Sequence, residues 1–122
     1  MARIAGKLFV DVNGTRLSAR GENWNWNLGR DKREMVVGVD GPHGHKAMPQ
    51  VPFLEGEISL TPDLDLEALL AAEDATVTAE LPNGWTFVLR SAIQTAEATA
   101  ETGDGKMPVR FEGLSADLSR AA

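Results

Sequence analysis

The chain has 122 residues, 43% of them apolar and 25% charged, with 18 acids against 12 Lys and Arg for a formal charge of −6, and no cysteine. One domain of this size buries roughly two-thirds of its unfolded surface, enough for a self-sufficient core. The acidic balance speaks against a protein that grips nucleic-acid phosphates, and the missing thiols exclude a disulfide scaffold, a thiolate metal site and a cysteine nucleophile.

At the start, Arg3 and Lys7 interrupt the apolar residues, so the segment does not read as a signal peptide. No run approaches the ~18 apolar residues of a membrane span. The expectation is a soluble protein made in the cytoplasm, with no membrane insertion. Leu8, Val10 and Val12 then alternate with Lys7 and Asp11, Asn13-Gly14 follows, and Leu17 and Ala19 alternate with Arg16, Ser18 and Arg20. Asn-Gly between alternating runs predicts a type I′ hairpin, because both residues accept positive φ. Asn23–Asn27 alternates next, placing Trp24 and Trp26 on one side, and Met35–Val37 reads as a further short strand.

Gly38–Phe53 holds three glycines and three prolines and shows no period. A compact domain seldom keeps a loop of about 15 residues unless the loop has a task. This one carries Val39, Met48, Val51 and Phe53 on a proline-stiffened backbone and reads as a protruding docking arm. Leu54–Leu60 alternates again, with Glu55, Glu57 and Ser59 on one side. Leu66, Leu69 and Leu70 form one stripe of a helix over Asp65–Ala72, capped by Asp65 and favoured by Glu67 in its first turn. The second Asn-Gly, Asn83-Gly84, joins Ala75–Leu81 to Trp85–Arg90, and Gly103–Gly105 is expected to join Ile93–Glu101 to Met107–Phe111. The sum is a mainly β fold, an antiparallel sandwich or barrel with one short flanking helix, in a single domain over residues 1–122 with loose ends.

Chemistry is hard to place on this chain. His43 and His45 form a His-Gly-His pair, but a catalytic zinc site wants three protein ligands and the chain has no third histidine. Asp63, Asp65 and Glu67 echo a calcium loop yet lack its glycine and its closing bidentate Glu. Glu55 and Glu57 are neighbours on one strand face, whereas a glycosidase pair flanks its substrate from opposing elements. Trp24 and Trp26 could stack a ligand, which leaves a small β-barrel binding module as an alternative. The expectation is no enzyme, no cofactor and no metal.

The chain also resembles the phage tail tube proteins of the Mu-like contractile type. Gly6–Gly14 is similar to the family's opening hairpin. Val39–Ser59 resembles its central block, DG-x-HG-x-K-x-MP-x-VPF-x-EG-x-I. Val77–Ala92 resembles its VTAEL-x-NG hairpin, and Val109–Ser115 its closing VRFEG-x-S strand. The resemblance implies hexameric rings stacked into a hollow tube that conducts DNA inside a contractile sheath. It implies as partners further copies of the chain, a tail sheath protein, baseplate and tail-terminator proteins and a tape-measure protein in the channel. The location implied is a virion tail assembled in the host bacterial cytoplasm. A tailocin or type VI secretion-like tube is the alternative within the class. On this reading Val39, Asp40, His43, His45, Lys46, Met48, Val51 and Phe53 contact other subunits or rings. Glu55, Glu57 and Glu80 are candidates for an acidic channel wall that repels phosphate without specific nucleic-acid binding. Arg16, Arg20 and Arg90 are expected to pair with acids of other copies.

Overall fold

The computed structural model describes residues 8–120. β1 (Phe9–Val12) and β2 (Thr15–Leu17) form the first hairpin, with Asn13 and Gly14 at φ 50° and 85° as the turn requires. The Asn13 side chain also accepts from the Thr76 backbone N–H at 2.9 Å, tying this turn to a strand far along the chain. β3 (Ala19–Asn27), β4 (Lys32–Gly38), β5 (Gly41–Met48) and β6 (Phe53–Ser59) follow, then α1 (Leu66–Ala71), β7 (Ala75–Glu80), β8 (Trp85–Gln94), β9 (Lys106–Glu112) and β10 (Ser115–Arg120).

The main sheet runs β2-β1-β7-β8-β9-β6-β3, with β10 on β8, and every pairing is antiparallel. β8 makes the corner. Its first part lies between β7 and β10, while Ile93 and Gln94 pair with Glu112 and Phe111 of β9. Ser91 sits between these parts at φ 54°, and the β7 register shifts beside it, which is how an irregular residue turns a strand from one wall to another. The far edges, β2 and β3, are joined in the chain through Ser18, whose C=O accepts from Ser59 N–H of β6 at 2.8 Å, nearly closing a barrel.

Val10, Val77, Ala79, Phe87 and Leu89 point inward from one wall and meet Leu54, Ile58, Met107, Val109 and Phe111 from the other, with no polar or charged residue buried among the described residues. Each inward set follows the period-two pattern expected for half-buried strands. Asp65 caps α1 by accepting from Ala68 N–H at 3.2 Å, and Leu69 plugs the core while Leu70 faces solvent.

Four expectations need correction. Gly38–Phe53 is not structureless: most of it belongs to a β4–β5 hairpin, a separate two-stranded sheet that begins earlier, at Lys32. Ile93–Glu101 is not one strand: β8 absorbs Ile93 and Gln94, and Thr95 N–H still donates to Arg110 C=O at 2.7 Å. The middle leaves the sheet because Ala96, Ala98 and Ala100 offer too little apolar area to bury, and Glu101 returns to bridge Lys106 across the Gly103–Gly105 turn. The run from Leu17 to Arg20 is divided at Ser18 between β2 and β3. The C-terminal segment is not a loose end, since β10 pairs with β8 along its whole length. Its last two residues, like Gly6 and Lys7 of the opening block, lie outside the described residues.

Candidate assembly surface

The arm grows out of the β3–β6 pair. Asn27 and Phe53 form its last rung, and the chain leaves the barrel after one and returns before the other. Three contacts fix the exit. Gly29, at φ 76°, packs directly on Pro52, where a β-carbon would sit 2.7 Å from Cδ. The Asn27 side chain accepts from Gly29 N–H at 2.7 Å. The buried Pro52 gives its carbonyl to Gly113 N–H at 3.1 Å.

Beyond this base β4 and β5, among the described residues, pair only with each other, from Lys32↔Met48 to Gly38↔Gly41. Val39 and Asp40 form the tip. His43 Nε2 lies 2.6 Å from Asp40 Oδ1, and this hydrogen bond holds the Asp40 carboxyl below its usual range. The pair spends the imidazole locally, and among the described residues no cluster of His, Cys, Asp or Glu could hold a metal.

Among the described residues, six of the ten exposed large apolar side chains lie here: Met35, Val36, Val37, Val39, Met48 and Val51. An isolated two-stranded hairpin is marginal in water, and concentrated exposed apolar side chains mark interaction surfaces. Of the residues expected to make contacts, Val39, Asp40, His43, His45, Lys46 and Met48 stand on the arm, and Val51 lies on its exposed return leg. Phe53 does not: it begins β6, half-buried, with the Arg110 guanidinium 3.9 Å from its ring centroid. Met35, Val36 and Val37 belong to the same surface; in the sequence their short apolar run reads as an ordinary strand, with nothing to mark it as exposed.

The acids sort into two places. Glu55 and Glu57 share the outer face of β6, in a trough of about 480 Å³ also lined by Arg20, Lys106 and Arg110. Arg110 reaches Glu55 at 2.6 Å and Glu112 at 2.8 Å, and Lys106 reaches Glu57 at 3.2 Å. The bond to Glu112 is the main cause of a raised Arg110 pKa, and the same bond lowers that of Glu112. Hydrogen bonding to Glu57 raises Lys106. Glu80 lies apart on β7, 3.9 Å from Arg16.

These acids are therefore attended by cations of the same chain. Lys106 and Arg110 carried a sequence signal only as the outward residues of β9, alternating with Met107, Val109 and Phe111. Arg16, Arg20 and Arg90, expected to reach other copies, find partners at home in Asp11, the Asp104 carbonyl and Asp117.

Trp24 and Trp26, two positions apart in the sequence, are both spent on packing. Trp24 covers Gly56, where a β-carbon would collide with the indole, and its Nε1–H donates to Arg20 C=O at 2.9 Å across the β3 bulge. Trp26 packs on Phe87 at 5.4 Å between ring centroids. No helix among the described residues is long and apolar enough to cross a membrane.

A family model described as phage tail tube protein matches residues 1–117. No curated protein matches the sequence. Among solved structures, the tube-terminating cap of the anti-feeding prophage superposes with a TM-score of 0.63 at 11% identity, over 93% of this chain and 88% of that one. The sheath–tube complex of an extracellular contractile injection system in its extended state gives 0.63 at 12% identity, over 94% and 89% of the two chains. Hcp1 from Flavobacterium johnsoniae gives 0.60 at 8% identity, over 93% and 95%. At such identities the likeness is one of fold.

Proposed function

We propose, from the premise that this chain belongs to the phage tail tube protein family, that it is the repeating subunit of a hollow tail tube, built of hexameric rings and stacked inside a contractile sheath. The role is structural, with no reaction attached. The observation that carries this reading is the arm: a hairpin with a rigidly seated base and unpartnered apolar side chains suits a link to another copy. Val39, Asp40, His43, His45, Lys46, Met48 and Val51 make that link, joined by Met35, Val36 and Val37. Within a ring, the outer edges of β3 and β10, each paired with a single neighbour among the described residues, join copies side by side.

The outer face of β6 and β9 lines the channel through which DNA passes. There Glu55, Glu57, Glu101, Asp104 and Glu112 outnumber Arg20, Lys106 and Arg110, leaving an acidic excess that discourages phosphate from lodging. Glu80 belongs to a different surface. The sheath, baseplate, terminator and tape-measure proteins are the remaining partners, in a virion tail assembled in the bacterial cytoplasm. The fold likeness to contractile injection tubes supports a second reading, the tube of a tailocin or secretion machine, in which the same joints serve a different cargo. Negative-stain microscopy of purified protein at rising concentration tests the proposal: rings or hollow rods are expected, and a monomer at every concentration counts against it.

A further inference from the structure

We propose that the groove between α1 and the β1–β2 hairpin is the acceptor for the arm of the next copy. The inference rests on the reading of the arm as the link between rings and names the surface it engages.

Topology supplies the first argument. The arm leaves at the Phe53 end of β6, while the chain passes from the Ser59 end, at the opposite pole, toward α1. Leu17 and Ser18 reach that same pole, where Ser18 C=O accepts from Ser59 N–H. Arm and groove thus occupy opposite ends of the barrel. A protruding element at one pole and a receiving surface at the other make a head-to-tail contact, which does not close on itself and propagates as a filament.

The groove is built for side chains. It holds about 210 Å³, lined by Val12, Leu17, Leu64, Ala68, Leu69 and Ala72 among others. That is below the ~300–1,000 Å³ of small-molecule sites. It suits the aliphatic tip of a hairpin, and Val39 is the fully exposed apolar residue at that tip.

Charge points the same way. Between Lys32 and Met48 the arm carries Lys32, Arg33 and Lys46 against Glu34 and Asp40, together with both histidines of the chain. Residues 61–74, which form the helical wall and its flanks, carry Asp63, Asp65, Glu67, Glu73 and Asp74 with no Lys or Arg. The arm's excess of one positive charge lies at its Lys32–Arg33 root, because Lys46 pairs with Glu34 at 3.7 Å and Asp40 at the tip is bonded to His43. The arm as a whole therefore approaches the acidic wall without net repulsion, and the like-signed alternative, wall against wall, is disfavoured.

The absence of native cysteine makes the test direct. A chain carrying both Val39→Cys and Ala68→Cys is assembled into tubes, oxidised, and run on a non-reducing gel. A ladder extending past the dimer is expected, because a disulfide forms only when the Cα atoms approach within about 7 Å. Val39→Cys alone should give no ladder; cross-linking in that single variant would mean tips meet tips and would overturn the proposal. Tubes without the double-variant ladder would overturn the acceptor and leave the arm's role standing, whereas tubes from a chain lacking the arm would overturn both. Should the double variant fail to polymerise, maleimide labelling of Ala68→Cys alone decides. Loss of labelling on tube formation supports the acceptor. Unchanged labelling, or protection appearing only once sheath protein is added, overturns it.

Discussion

Gly29 and Pro52 are in direct contact at the root of the arm, and the contact exists because Gly29 has no β-carbon. Both a positive φ and a proline ring forbid a side chain there. Gly29→Ala is expected to cost more than about 1 kcal/mol locally. Because the site lies outside the core, the barrel should keep a cooperative melt while the arm loses its angle. Reduced tube yield with near-normal thermal unfolding is the expected result; normal tubes would show that the exit angle does not matter.

Gly56 has a different neighbour, the indole of Trp24. Gly56→Ala forces that ring outward and is expected to destabilise the fold by about 1–3 kcal/mol, in the range of overpacked cores. Urea denaturation measures the loss, and a red-shifted tryptophan emission should accompany it as Trp24 meets solvent. Unchanged stability would mean the strand can shift to make room.

The acid dependence follows from Glu112. Its folded pKa is lowered, first by the hydrogen bond from Arg110 and then by that from Thr95, below an ordinary value of 4.5. A lowered folded pKa means the unfolded chain binds the proton more readily. The contribution is therefore present above the ordinary carboxylate range and is lost as pH falls through the lowered folded value. Glu112→Gln should melt at a lower temperature than the parent near neutrality, and the gap should narrow on acidification. Parallel curves for the two chains would remove Glu112 from the acid transition.

The sequence reading and the structure part company for physical reasons. Both Asn-Gly hairpins were legible, the first because Asn13 and Gly14 both take positive φ. The second turns differently, with Gly84 at φ 90° and Asn83 outside that region, so there the glycine carries the signal. The Asp65 cap and the Leu69 plug were legible for similar local reasons. The β4–β5 hairpin was not, because neither of its faces is buried and nothing imposes a period on it. Gly41, Pro42 and Gly44 hide it further, although Gly41 and Gly44 sit at φ 129° and 149°, within reach of glycine alone. That the segment is an arm could be read from unexplained apolar residues; that it is ordered could not. The ion pairs of Arg110 and Lys106 depend on strand register, which places Glu55 opposite Arg110, and register is a property of the assembled sheet.

A charge test separates the trough from the arm. Arg110→Ala leaves Glu55 and Glu112 without their guanidinium and uncovers the Phe53 ring. Groups this exposed are worth about 0–1 kcal/mol per pair, so only a small fall in melting temperature is expected. A more repulsive channel wall should result, and assembled tubes should not shift duplex DNA in a low-salt gel, as with the parent. A shift by either tube would contradict the acidic-excess reading.

The central claim is that the arm joins copies and is dispensable to the fold of one. Lys32 and Met48 are paired across the root, so Arg33–Ala47 can be replaced by an Asn-Gly turn without disturbing that rung. The shortened chain should unfold cooperatively at close to the parent temperature and form no tubes under the microscope, at concentrations where the parent forms them. Tubes of normal width and repeat from the shortened chain would contradict the account.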